Sequence, residues 1–146
     1  MNKKLGLVGC GYWGPNIVRN IQKTPNLSLT FVVDQDETVI NKLPPISFYQ
    51  DLDTALIRHD DVDGVIVATP ISTHYTIAKQ VLEAGKSVLI QKPMAMSVEE
   101  CNILEEIAAS KNLTVMIAHT FLFTGAVRKL KELAESGDIG NLKHFD

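Results

Sequence analysis

Glycines at positions 9, 11 and 14, within the stretch VGCGYWGPNIVRN, are followed by a carboxylate, Asp34, twenty residues beyond the last of them. Glycines so spaced suit a turn that brings backbone N–H groups to an anion. Gly9 would close a first strand, Gly11 would let a pyrophosphate approach the backbone, and Gly14 would let the next helix pack closely. Pro15 falls in the first helical turn, where its missing N–H costs nothing, so the amides of Tyr12 and Trp13 would face phosphates at the positive end of the helix dipole. Asp34 ends FVVD, where a carboxylate binds the adenosine ribose hydroxyls. It would repel a 2′-phosphate, and no Arg follows it in DQDETVINK, so the pattern implies NAD rather than NADP. The competing readings are a plain turn for the glycines and an N-cap of the following short helix for Asp34.

The elements that must position these residues are legible as alternation. Residues 4–9, 27–34, 64–69, 87–91 and 113–119 are short, nearly continuous apolar runs that read as buried parallel strands, with 46–49 a weaker sixth. Residues 13–23, 52–58, 73–84, 98–111 and 126–136 read as helices. Ser97 and Glu100 form an S-x-x-E capping box, Gly85 and Gly137 stand at helix C-termini, and Pro44-Pro45 ends the short helix after Asp34. Strands alternating with helices predict right-handed crossovers and a doubly wound parallel α/β domain.

Composition narrows the function. A chain of 146 residues, 45% of them hydrophobic, makes one domain, residues 1–146. Its net charge of -3 argues against nucleic acid, and no run reaches the roughly 18 apolar residues of a membrane helix, so a small-molecule partner is expected. Cys10 and Cys101 have neither C-x-x-C nor metal-ligand spacing, which predicts a reducing, cytoplasmic setting and no metal; Cys10 reads as a small residue that fits its slot.

The segments GCGYWG, VATPISTHYTIAKQVLEAGKSVLIQKPMAMSVEE and TFLFTGAVRKLKELAESGDIG together make the chain resemble the N-terminal, Rossmann NAD-binding domain of the Gfo/Idh/MocA oxidoreductases. The resemblance covers nearly all of the sequence. GYWGPNIVRN and HTFLF...VRKLKEL are most similar to the sugar-nucleotide branch, the UDP-N-acetylglucosamine and UDP-N-acetylglucosaminuronate 3-dehydrogenase type. It implies hydride transfer between a sugar or UDP-sugar hydroxyl carbon and NAD. It also implies that Lys92, in the family's Glu-Lys-Pro motif, is catalytic, touching both the reacting hydroxyl and the nicotinamide ribose, with a cis bond to Pro93. A cation there would stabilise the developing alkoxide. Thr69, Pro70, His74 and Gln91 are then expected on the cofactor, and His119 on substrate or nicotinamide. The bland readings are a solvated lysine for Lys92 and a ring satisfying its own helix start for His74.

Two departures from the family stand out. Gln91 replaces the usual glutamate, which removes a negative charge beside Lys92. In the family a C-terminal α/β domain supplies the substrate wall and a histidine acid/base, and mediates homo-oligomers; here residues 137–146 read as the start of such a domain, the rest of which the sequence lacks. The alternatives are a non-catalytic NAD-binding module or subunit, and an interaction domain whose glycine turn is only structural.

Overall fold

Every residue of Gly64–Val67 is buried, as a central strand of a parallel sheet must be. The structure, a computed structural model, describes residues 2–141, 143 and 144. That strand is β4 of six: β1 (Lys3–Val8), β2 (Leu27–Val33), β3 (Ser47–Tyr49), β4 (Gly64–Val67), β5 (Ser87–Ile90) and β6 (Val115–Ile117). Their order is β3-β2-β1-β4-β5-β6, with every neighbouring pair parallel. The chain steps outward from β1 to β3, then crosses back and steps outward again from β4 to β6. Right-handed crossovers in opposite directions place their helices on opposite faces.

One face accordingly carries α2 (Leu52–Arg58), α3 (Ile71–Glu83) and α4 (Val98–Ser110), whose Leu56, Leu82 and Leu104 meet Val65, Val67, Val88 and Ile90 of the sheet. The other carries α1 (Gly14–Lys23) and a 3-10 helix over Glu37–Lys42, which bury Val18, Ile21 and Val39 against Leu7, Val32 and Ile66. The last helix, α5 (Gly125–Ser136), buries none of its residues.

Local chemistry sets the boundaries. Asp51 caps α2 by accepting the Thr54 N–H at 2.8 Å. Ser97 caps α4 as expected, accepting from Glu100 N at 3.2 Å, but the Glu100 carboxylate takes the Met96 N–H rather than that of Ser97. The box is therefore shifted by one residue at its return arm. Gly85, at φ +77°, follows α3 where the chain must turn left-handed.

Several expected boundaries move for identifiable reasons. The strand expected over 64–69 ends at Val67, because Pro70 cannot donate to a ladder and instead precedes α3, which starts at Ile71 rather than Thr73. The strand expected over 113–119 narrows to Val115–Ile117. Leu113 N is drawn back to Ala108 O at the end of α4, and His119 N to Ile117 O, which leads the chain into an unforeseen 3-10 helix over Thr120–Phe123. At 137–146 the described residues begin with a turn closed by Gly140 N on Gly137 O, not a strand; Leu142, Phe145 and Asp146 lie outside the described residues.

Candidate functional site

Reversal of strand order between β1 and β4 leaves a crevice at the carboxyl ends of the strands. It holds a cavity of about 580 Å³ whose floor is formed by the strand ends Val8, Val33 and Ala68. Of the residues named above as cofactor contacts, Gly9, Gly11, Tyr12, Trp13, Asp34, Thr69 and Pro70 line it. Gly14, His74, Gln91 and Lys92 do not.

The three glycines have three different surroundings. Gly9 has φ +86°, and a Cβ on it would lie 2.7 Å from the carbonyl carbon of Ala68, so the absence of a side chain lets the ends of β1 and β4 close up. A Cβ on Gly14 would lie 2.5 Å from Cys10 Sγ; the helix start packs on its own turn rather than on the strand. Nothing lies within 4 Å of a Cβ on Gly11, so that methyl would stand in the cavity itself. A flat backbone cradle that a single methyl would fill is what a pyrophosphate requires. Among the described residues no acceptor takes the Tyr12 or Trp13 amide, and both precede the ten-residue α1, whose dipole favours an anion there. Their rings meet edge to face at 5.3 Å and stand exposed at the rim.

Asp34 is half-buried and joins β2 to this turn. Its Oδ2 accepts the Cys10 N–H at 2.6 Å and its Oδ1 the Asp36 N–H at 3.0 Å. A carboxylate offers about four lone-pair sites, so two remain for ribose hydroxyls. The N-cap role falls instead to Asp36, which accepts from Thr38 N. Burial, and then the nearby Asp34 charge, push the Cys10 thiol up, with Lys42 opposing. Cys10 is therefore a packed thiol.

Sequence reasoning missed Gln35, Thr73 and Ile77, which also line the cavity. Thr73 and Ile77 are four residues apart, so one face of α3 serves as a wall; the Thr73 hydroxyl sits 2.8 Å from Thr69 Oγ1 and 2.7 Å from the Pro70 carbonyl. The helical spacing was the available signal.

His74 lies beneath the cavity wall rather than on it. Only 2% exposed, it has both ring nitrogens beside backbone carbonyls, Nε2 at Thr69 and Nδ1 at Pro93, each at 2.8 Å. Gln91 extends β5 through a bond from its N–H to Val67 O. Lys92 follows, exposed, and its bond to Pro93 is cis as the resemblance implies. Among the described residues no carboxylate pairs with Lys92. His119 is exposed at the end of β6, and the Ala118 N–H reaches Ile90 O. Lys92 and His119 thus share the edge of the sheet with the cavity, one and two strands beyond β4. Among the described residues, no cluster of His, Cys, Asp or Glu could hold a metal, and no helix is long and apolar enough to cross a membrane.

Residues 3–119 match the profile of the oxidoreductase family with an NAD-binding Rossmann fold. An uncharacterized oxidoreductase of Streptococcus pneumoniae is 34% identical over 141 residues, 95% of this chain and 38% of that protein. GenD2 of gentamicin A biosynthesis, solved with NAD, superposes with a TM-score of 0.88 at 31% identity, over 94% of this chain and 40% of its own. Scyllo-inositol dehydrogenase of Lactobacillus casei, solved with NAD(H) and scyllo-inositol, gives 0.87 at 25% identity, over 97% and 43%. The chain spans about two fifths of the length of these relatives.

Proposed function

We propose a function from one premise: the chain belongs to the Gfo/Idh/MocA oxidoreductase family and carries its NAD-binding Rossmann domain. Residues 1–146 are the NAD-binding unit of an oxidoreductase that moves a hydride between nicotinamide and the hydroxyl-bearing carbon of a sugar or UDP-sugar, with 137–146 leading toward a substrate-binding domain. The observation that carries the reading is the Gly11 cradle, open to the cavity and tied through Cys10 to the Asp34 carboxylate.

The Tyr12 and Trp13 amides take the pyrophosphate, Asp34 the adenosine ribose, and Thr69 and Pro70 wall the cavity on the β4 side. Bound NAD supplies the hydride acceptor. When the substrate carbon gives up its hydride, the hydroxyl proton passes to a base on the substrate-binding domain, the place of the family's acid/base histidine, and negative charge grows on the oxygen as the proton leaves. An ammonium at Lys92 donates to that oxygen and stabilises the charge. His119, exposed on the same edge, takes a substrate hydroxyl or the nicotinamide in this reading. Gln91, in place of a carboxylate, offers Lys92 hydrogen bonds but no negative charge to hold its ammonium form.

Titration of Trp13, the only tryptophan, tests the cofactor reading. Quenching by NADH and NAD, and less by NADPH, is expected; a folded protein that responds to none of them overturns it. Reduction of NAD with a panel of sugars and UDP-sugars then tests the substrate class, which falls if none is oxidised by the protein joined to a substrate-binding domain.

A further inference from the structure

His74 is the only buried polar or charged side chain among the described residues. An imidazole at this depth is costly unless its nitrogens have partners, and an aliphatic side chain would fill the same space without that demand. Its partners come from two separate stretches of chain. Thr69, whose carbonyl meets Nε2, lines the dinucleotide cavity at the end of β4; Pro93, whose carbonyl meets Nδ1, is the residue after Lys92 at the end of β5. Both carbonyls lie past the ends of their strands, where no ladder holds them in register. The next covalent neighbours of the strapped Pro93 are Lys92 and Met94, and Met94 is buried in the core, so the segment is anchored on one side of the ring and ends in a solvent-exposed ammonium on the other.

We propose that His74 is a positioning residue: with a proton on each ring nitrogen, as two accepting carbonyls require, it straps the Thr69 carbonyl to the Pro93 carbonyl and fixes where Lys92 stands relative to the dinucleotide cavity. The inference rests on the reading of Lys92 given above. It predicts that the contribution of His74 to cofactor binding passes through Lys92, which a purely space-filling ring would not do.

A double-mutant cycle measures this directly, with NADH affinity read from Trp13 quenching and folding checked by circular dichroism. Lys92→Met should weaken NADH by roughly fivefold, the size of one lost charge-assisted hydrogen bond. His74→Phe should weaken it similarly in the wild-type background, and by less than about twofold in the Lys92→Met background. Losses that simply multiply overturn the strap and leave the Lys92 reading standing. A Lys92→Met protein with unchanged NADH affinity removes the contact of Lys92 with the nicotinamide ribose, and the strap falls with it. If His74→Phe does not fold, His74→Gln, which retains a donor for one carbonyl, enters the same cycle with the same criteria.

Discussion

The Cys10 backbone N–H donates to the Asp34 carboxylate at 2.6 Å, so the end of β2 and the glycine turn after β1 are held by one charged hydrogen bond. The second oxygen of Asp34 is held by the Asp36 N–H. Both oxygens of the Asp34 carboxylate are therefore held in a fixed orientation at the cavity wall.

Asp34→Asn should separate orientation from charge. The amide keeps one acceptor oxygen and turns its NH₂ toward a backbone N–H that also donates, so one of the two tethers is lost. NADH affinity should fall about tenfold, in line with loss of hydrogen bonds to a charged group. NADPH should lose less, because the negative charge that repels its 2′-phosphate is gone. Equal losses for the two nucleotides in a fluorescence titration would sink this account of cofactor choice.

Gly11→Ala and Gly14→Ala should fail in opposite ways. The space above Gly11 is empty of protein atoms, so the alanine variant should unfold in urea within about 0.5 kcal/mol of wild type yet bind NADH at least tenfold more weakly. The added methyl at Gly14 meets Cys10 Sγ at 2.5 Å, and overpacking of this kind costs roughly 1–3 kcal/mol. Cys10→Ala in the same chain should restore part of that stability, since the sulfur is what obstructs. A Gly14→Ala protein as stable as wild type would mean that the turn moves aside freely.

Much of this was legible because the strands announce themselves: 52–58 as a helix matches α2 residue for residue, and the weak strand candidate at 46–49 is β3, at the sheet edge. Boundaries failed where the chain leaves the sheet to build the site. Ala68 and Thr69 look like more of β4 by composition, and the Ala68 N–H still reaches Val8 O, but β4 ends at Val67, Pro70 caps α3, and the Thr73 hydroxyl meets Thr69 Oγ1. His74 shows the limit of one-dimensional reading. The family resemblance implied a place near the cofactor for it, while Pro93, the partner that holds its Nδ1, lies nineteen residues away, past the end of β5. The Asp34 and Asp36 roles were likewise divided by geometry alone, since either aspartate could have capped the helix that follows.

The two cysteines should react at different rates. Cys10 is buried and its thiolate is disfavoured, first by burial and then by Asp34, whereas Cys101 is partly exposed on α4. A thiol reagent at neutral pH should label Cys101 in the native protein and reach Cys10 only on unfolding. Bound NADH should slow Cys10 further, because the cofactor covers the turn. Mass spectrometry of the peptides decides it; native labelling of Cys10 at the rate of Cys101 would contradict the packed turn.

Acid should loosen the surface caps and ties before anything in the core responds. The Asp51 carboxyl is held below its ordinary range by hydrogen bonds from the Thr54 side chain and N–H, and Asp36 by the corresponding groups of Thr38. Asp61 is lowered chiefly by its hydrogen bond with Lys4, and Asp63 by that with Lys3. A carboxyl depressed in the folded state binds fewer protons there than in the unfolded chain. Its stabilisation is therefore complete above the ordinary carboxylate range and is lost as pH falls through the depressed folded value. The urea midpoint should stay flat from pH 7 to about 5 and drop below about 4. Salt should weaken the lysine pairs and spare the caps, whose donors are uncharged. Asp51→Ala should lower the midpoint at pH 7, and its deficit should narrow at pH 3, where protonation has already weakened the wild-type cap. A deficit that stays constant across that range would place the role of Asp51 in something other than its charge.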